Sequence, residues 1–133
     1  MSFSDYLENK LLDHAFGATA YSAPATLYVG LSTTPIADDG SGITEPSGGA
    51  YARVAVTNSP ANWPAAVGGA KANGTAVTFP QATAGWGTLT HAFVSDAASG
   101  GNILAAGALA TSRSVNPGDT LRFDTGEIDL ALD

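Results

Sequence analysis

Few side chains in this 133-residue sequence have the types and spacing that catalysis or metal binding requires. The two histidines, His14 and His91, are far apart and form no ligand-spaced pair, whereas a zinc site needs three or four converging ligands. Ser32 lies two residues after Gly30, but Thr34 stands where a nucleophile elbow needs a second glycine. The absence of cysteine excludes disulfides and thiolate metal sites. We therefore predict no catalytic, cofactor-binding or metal-binding residue, and no enzyme.

Two chemical alternatives stay open. The acidic segment with Asp38, Asp39 and Glu45 fails the EF-hand pattern, which needs acids at alternate positions and a glutamate at the twelfth, but it could form a looser Ca²⁺ site. An esterase- or lyase-like enzyme would require other polar groups to converge on His91. The ordinary interpretation of His91 is a core or interface histidine with one hydrogen bond, and that of His14 is capping or packing near a helix end.

The two tryptophans, Trp63 and Trp86, lie in loop-like segments beside proline or glycine. Exposed indole rings on a β-domain can stack on sugar faces, which would indicate a carbohydrate-binding module. Tryptophan is also typical of domain ends and of oligomer interfaces, because it buries a large ring. We favour the second interpretation, and name both residues as candidate partner or oligomer contacts.

The charge pattern limits the classes of partner. Twelve acidic and five basic residues give a net charge of −7, which argues against nucleic acids and anionic membranes. Only 13% of residues are charged, although typical domains carry about a quarter. Residues 46–90 contain no acid and only two basic residues, Arg53 and Lys71. We expect this segment to be covered by another subunit or by a capsid surface. No apolar run is long enough to span a bilayer.

The hydrophobic periodicity predicts an N-terminal helix over residues 2–16, with Ser2 as its N-cap and Phe3, Leu7 and Leu11 on one face beside Tyr6. After residue 24 the pattern changes to short alternating segments separated by Gly, Pro, Asn and Asp. These segments are 26–33, 51–57, 75–79, 88–95, 102–109, 120–124 and a last strand at the C-terminal end. In segment 88–95 the alternation puts Leu89, His91 and Phe93 on one face.

This pattern predicts a mainly-β protein in which an N-terminal α-helix precedes a β-sandwich or jelly-roll-like domain of about seven to eight antiparallel strands. We expect residues 1–20 to form a docking arm and residues 24–133 a single domain. A helix this short is marginal alone in water, so it must pack against something. We therefore name Phe3, Tyr6, Leu7 and Leu11 as candidate contacts to a partner or to other copies, and expect that deletion of residues 1–16 leaves a folded domain.

Several segments carry a resemblance to a known family. They are the opening helix, LYVGLSTTP at 27–35, YARV at 51–54, WGTLTHAFVSD at 86–96, SGGNIL at 99–104 and VNPGD at 115–119. In this order they resemble small virion proteins of tailed bacteriophages that are labelled head-decoration or tail-fibre proteins. The resemblance covers nearly the whole chain, implies a structural role and carries no catalytic residue.

The resemblance and the charge pattern together lead to two hypotheses. The first is a capsid decoration, or cement, protein that binds the major capsid protein on the outside of the assembled head as a homo-oligomer, most simply a trimer. The alternative is a tail-tip or tail-fibre component that contacts the host, through a saccharide bound by Trp63 or Trp86. Both place the protein on the outer surface of the virion, after synthesis in the bacterial host cytoplasm, with neither nucleic acid nor membrane as partner.

Overall fold

A computed structural model of the chain describes residues 1–132, which form one helix and nine strands; Asp133, the end of the expected domain, lies outside this range. The helix α1 covers Asp5–Ala15, and among the described residues no helix is long and apolar enough to cross a membrane. The strands are β1 (Ser2–Phe3), β2 (Thr26–Ser32), β3 (Val54–Thr57), β4 (Ala70–Ala72), β5 (Val77–Thr78), β6 (Gly87–Ser95), β7 (Ile103–Val115), β8 (Arg122–Phe123) and β9 (Asp129–Ala131). The predicted class, mainly β with one N-terminal helix, is confirmed.

Seven strands form one curled sheet in the order β3-β2-β6-β7-β1-β9-β4, and β5 and β8 form a separate two-stranded sheet. All pairings are antiparallel except that of β1 with β9. The core contains apolar side chains from both sheets, with Val29, Leu31 and Leu89 fully buried, and Val77 and Phe123 contributed by the small sheet. The alternating residues of β2 therefore face the core as predicted.

The first residues differ from the prediction. Ser2 and Phe3 are extended and pair with Ala106 and Ala105 of β7, because β1 fills the place between β7 and β9. The helix begins later, and its N-cap is Ser4 instead of Ser2, with the Ser4 hydroxyl accepting from the backbone N–H of Leu7. The start of the expected docking arm is thus an internal strand of the sheet. A deletion of residues 1–16 would remove that strand from between β7 and β9, which weighs against the expectation of an intact domain after this deletion.

A bulge changes which residues of β6 share a face. The pairing of β6 with β7 shifts between Leu89 and His91, so the simple alternation predicted for segment 88–95 is wrong. Leu89 lies in the core with Ala92 and Val94, whereas Phe93 is buried on the opposite face. His91 is half-buried, with its Nδ1 2.8 Å from the Thr90 hydroxyl, which agrees with the ordinary interpretation of this histidine.

Arg53 organises the face of the sheet opposite the core. Its side chain is 5% exposed, and its Nε and Nη2 donate to the two carboxylate oxygens of Glu45 at 2.9 and 3.0 Å. Its Nη1 donates to the Ser95 hydroxyl and to the carbonyls of Ala97 and Gly100. The guanidinium also lies 4.9 Å from the centre of the Phe93 ring. One side chain thus joins the 34–50 loop, the start of β3 and the loop between β6 and β7.

The Glu45 carboxylate is the counter-charge that this burial requires. Burial by itself would raise the pKa of Glu45, but hydrogen bonds from Arg53 and Tyr51 and the charge of Arg53 outweigh it and lower the pKa. The Tyr51 hydroxyl donates to Glu45 at 2.7 Å and accepts from the Leu31 backbone N–H. Burial in turn raises the pKa of Tyr51.

We predict that Glu45→Gln lowers the free energy of unfolding at neutral pH by about 2–3 kcal/mol, because it leaves a buried guanidinium without its counter-charge. The pKa of Glu45 is depressed in the folded chain, so its contribution is complete above the unfolded pKa of about 4.3 and is lost as pH falls through the folded value. Chemical denaturation as a function of pH should show the two proteins converging in acid. Glu127→Gln is the control, because its pair with Arg113 is partly exposed, and should cost less than about 1 kcal/mol. Equal losses in both variants would contradict the prediction.

Gly30 provides a second test of the same face. A Cβ at residue 30 would overlap the Phe93 ring, so Gly30→Ala must displace the ring from beneath Arg53. We predict a loss of about 1–3 kcal/mol, the usual cost of overpacking. Gly85→Ala is the control, because its new methyl group would meet only ordinary van der Waals contact. Thermal unfolding of the two variants measures the difference, and similar midpoints would count against this packing.

Candidate interaction surface

The large apolar side chains that remain exposed within residues 1–132 lie on the helix and at the edge of the large sheet beside it. They are Leu12, Phe16, Val67 and Leu132, with 57%, 84%, 81% and 63% of their surface accessible. Three shallow depressions connect them through shared lining residues: the first and second share Phe3, Leu11 and Leu132, and the second and third share Ala70 and Lys71. Leu130 lines the second depression and its chain neighbour Asp129 the third, so this area wraps around the edge of the sheet. We call it the helix–edge surface.

The helix half of this surface follows from the sequence of α1. Asp5 and Glu8 lie in the first turn, where negative charge favours the helix dipole. Residues four apart share a helix face, so Leu12 and Phe16 continue one stripe. On a neighbouring stripe, Leu7 and Leu11 are half-buried against the rest of the chain. The first groove beside this half has a volume of about 560 Å³.

The other half is the edge of the large sheet. The edge strand β4 pairs with β9, with Ala70 opposite Ala131, and on its outer side the N–H and carbonyl of Ala70 are bonded to Val67. Gly68 and Gly69 both have positive φ, the conformation of a two-residue hairpin turn, and they join Val67 to Ala70. This turn holds Val67 out from the domain. The Lys71 ammonium donates back to the Trp63 carbonyl at 3.3 Å, so it is tied to its own chain.

The helix residues named from the sequence occupy two different environments. Phe3 and Leu11 line the helix–edge surface, Phe3 from β1 and not from the helix as predicted. Tyr6 and Leu7 are half-buried and pack against the core of their own chain. Their assignment as partner contacts stays a prediction. The exposed large apolar residues next to them are Leu12 and Phe16.

The two tryptophans lie in the core. Trp63 and Trp86 are each 4% exposed, so neither ring face is available for stacking on a sugar without a rearrangement. The Trp86 Nε1 donates to the Gly49 carbonyl at 2.9 Å, and its ring lies edge-on to Tyr51 with centroids 5.3 Å apart. These contacts fit the interpretation that tryptophan fills the domain, and they remove the basis for a saccharide site built on exposed Trp63 or Trp86.

The residues considered for chemistry are not brought together. Glu45 binds Arg53, while an oxygen of Asp39 accepts from the Ser41 backbone N–H. Within residues 1–132 no three His, Asp or Glu side chains are placed to hold a metal ion, so the looser Ca²⁺ site does not form there. The His14 Nδ1 accepts from the Tyr21 backbone N–H at 3.1 Å, which ties the segment after the helix back to it.

Sequence reasoning missed the four most exposed apolar residues. For Leu12 and Phe16 a signal was present, because they continue the spacing of Glu8 on a second helix stripe next to the predicted one. For Val67 the signal was the following pair of glycines. The position of Leu132 beside Phe3 depends on the pairing of β1 with β9, which no local pattern indicates.

The fold and this surface define a small β-rich domain with one extended apolar face. The chain matches the family model described as podophage GP4 fiber I protein gp80 over residues 2–131, and it belongs to that family. It is therefore a phage fibre or virion structural protein, as the resemblance implied. The family's name supports the tail-fibre alternative better than capsid decoration. No curated protein matches the chain.

The exposure of Leu12 and Phe16 leads to a stability prediction. Leu12→Ser/Phe16→Ser should change the free energy of unfolding by less than about 1 kcal/mol, because neither side chain is part of the core. Leu7→Ala, on the face that packs against the core, should cost about 1–3 kcal/mol. Chemical denaturation of dilute protein, where self-association does not contribute, compares the two. A large loss in the double variant would show that the helix–edge surface is needed for folding.

Proposed function

We propose that this protein is a non-enzymatic structural component of a phage fibre, and that it is built into the virion through the helix–edge surface. The observation that carries the proposal is the gathering of Leu12, Phe16, Val67 and Leu132 on one continuous surface. Exposed apolar patches of this extent mark protein contacts on soluble domains. The family name supports the location in a fibre.

The remaining properties fit a mechanical role. The net charge of −7 makes contact with packaged nucleic acid unfavourable, which supports a place on the outside of the particle. The polar clusters, such as Arg53 with Glu45, are used to hold loops of the same chain. The mechanism is one of linkage: a protein that binds only the assembled structure stabilises that structure.

Capsid decoration, with the major capsid protein as partner, is the competing proposal, and it differs in location and copy number. A decoration protein covers the head and approaches the abundance of the major capsid protein, whereas a fibre component is confined to fibres and is much rarer. Immunogold electron microscopy of purified virions, with quantitative mass spectrometry of the same sample, separates the two. Label over the whole head at capsid-like abundance would overturn the fibre proposal.

The same particles test the surface. We predict that Leu12→Ser/Phe16→Ser reduces the amount of this protein per virion by about tenfold or more, since buried apolar anchors dominate protein interfaces. Lys10→Arg is the matched control, because Lys10 is exposed on the other side of the same helix and the change keeps its charge; this variant should be incorporated normally. Normal incorporation of the double variant would show that another surface attaches the protein.

A further inference from the structure

We propose that this protein binds a neutral saccharide in a polar depression between the end of β7 and β8. The depression is lined by residues 113–115, 119–122 and 124, and its volume of about 370 Å³ lies within the range of about 300–1,000 Å³ that is typical of small-molecule sites. The inference goes beyond the proposed structural role, because it assigns a ligand to a separate part of the molecule. It is carried by the hydrogen-bonding groups and the charge balance of this depression.

The depression forms where two strands that follow each other in the chain enter different sheets. Residues 116–119 make a tight turn, in which the Asp119 N–H donates to the Asn116 carbonyl at 3.0 Å. Before the turn, β7 pairs with β6 in the large sheet, and after it β8 pairs with β5 in the small sheet. The facing sides of β7 and β8 are therefore not joined by a ladder of backbone hydrogen bonds.

The side of β8 that faces the depression carries backbone groups that can bind a ligand. The Phe79 N–H donates to the Leu121 carbonyl, so the peptide groups of Leu121 point toward β5. Because peptide groups alternate along a strand, those of Thr120 and Arg122 point the other way. Within residues 1–132 their one hydrogen-bond partner is the Arg113 guanidinium, whose Nη1 donates to the Arg122 carbonyl at 2.7 Å. The Thr120 N–H and carbonyl and the Arg122 N–H are left for a ligand.

The arginine on the β7 side is held in position by its own chain. The Arg113 Nη2 donates to a Glu127 carboxylate oxygen at 3.2 Å, and the guanidinium carbon lies 5.2 Å from the centre of the Phe123 ring. The Arg113 side chain is nevertheless 37% exposed, so a ligand in the depression can contact it. A side chain that is already fixed loses little conformational freedom when a ligand binds, which favours affinity.

The side chains on the β8 side keep hydrogen-bonding groups for a ligand. The Arg122 Nε donates to an Asp124 oxygen at 2.7 Å, and within residues 1–132 the two terminal guanidinium nitrogens of Arg122 have no partner. One carboxylate oxygen of Asp119 accepts from the Asn116 N–H, which leaves its other oxygen as an acceptor. The Thr120 side chain is exposed and adds a hydroxyl group.

The balance of these groups favours an uncharged ligand that is rich in hydroxyl groups. The lining contains two arginines and two aspartates, and each arginine is already paired with a carboxylate, so neither an anion nor a cation finds a net counter-charge. A hydroxyl group both donates and accepts. A sugar can therefore use the guanidinium and N–H donors together with the carboxylate and carbonyl acceptors. Val115 and Leu121, both buried, give the lining an apolar part for the C–H groups of a sugar ring.

The depression is separate from the surface proposed for attachment. None of its lining residues lines the three depressions of the helix–edge surface. A molecule attached through the helix–edge surface can therefore keep this site open. On a component of a phage fibre, a site for neutral sugars suits a polysaccharide of the bacterial surface. The saccharide contact that the sequence suggested for the tryptophans is thereby assigned to different residues.

The first test is a glycan array probed with the labelled full chain. The array carries bacterial oligosaccharides built from neutral sugars, from uronic acids, and from sulfated or phosphorylated sugars. We expect binding to at least one neutral oligosaccharide. Titration of the isotope-labelled chain with that oligosaccharide, followed by NMR, should give saturable shifts in the backbone amide signals of Ser114, Thr120 and Arg122. No binding to the array, or binding to the charged sugars alone, would overturn the inference.

Substitutions in the depression locate the site. Arg122→Gln should weaken binding of the same oligosaccharide by about tenfold or more, and Thr120→Val by about threefold or more, because each removes a hydrogen-bonding group. Lys10→Gln removes an exposed positive charge on the helix, and Thr111→Val removes an exposed hydroxyl of β7 outside the depression. These two matched controls should bind like the wild type. The Arg122 pair with Asp124 is exposed and adds little to stability, so we expect all variants to fold, which circular dichroism verifies.

The outcome is separable from that of the proposed function. Binding that is unchanged in both Arg122→Gln and Thr120→Val would place the saccharide elsewhere and overturn the inference, whatever the location of the protein in the virion. If saccharide binding is confirmed but the protein covers the head at capsid-like abundance, the inference stands and the fibre proposal is overturned.

Discussion

The buried pairing of Arg53 with Glu45 is the constraint on which the rest of this structure depends. A guanidinium on a side chain that is 5% exposed needs a counter-charge and hydrogen-bond acceptors, and it finds both by drawing distant segments together. The cost of burying the charge is offset by the ion pair with Glu45 of the 34–50 loop and by acceptors from the loop between β6 and β7. Those loops would otherwise have little reason to lie against the sheet, since they contain few large apolar residues.

The large apolar side chains that stay exposed within residues 1–132 lie at the other edge of the sheet and on the helix beside it. There the helix packs with Tyr6 and Leu7 while Leu12 and Phe16 stay accessible. Different residues of the helix thus contribute to the core and to the exposed surface. Polar contacts and aromatic packing stabilise the domain, while the helix–edge surface stays exposed.

The mainly-β class, the helix and most strands could be predicted because each depends on local periodicity. The start of the helix could not, since Ser2 and Phe3 become extended only through pairing with Ala105 and Ala106, far away in the chain. The faces of β6 depend on a bulge whose cause lies in β7. For the site, part of the acid-free segment lines the apolar surface, whereas the two tryptophans of that segment lie in the core. Burial of Trp63 and Trp86 depends on tertiary contacts that residue type alone does not reveal.

The short strand β1 has a consequence for the order of assembly. It joins β7 to β9 and pairs Ser2 with Ala131, so the sheet closes between residues made first and residues made last. Contacts of such long sequence separation form late in folding. The helix–edge surface needs Phe3 and Leu132 side by side, so it does not exist in a nascent or partly folded chain. A contact that needs both of these residues can therefore form only on a completely folded chain.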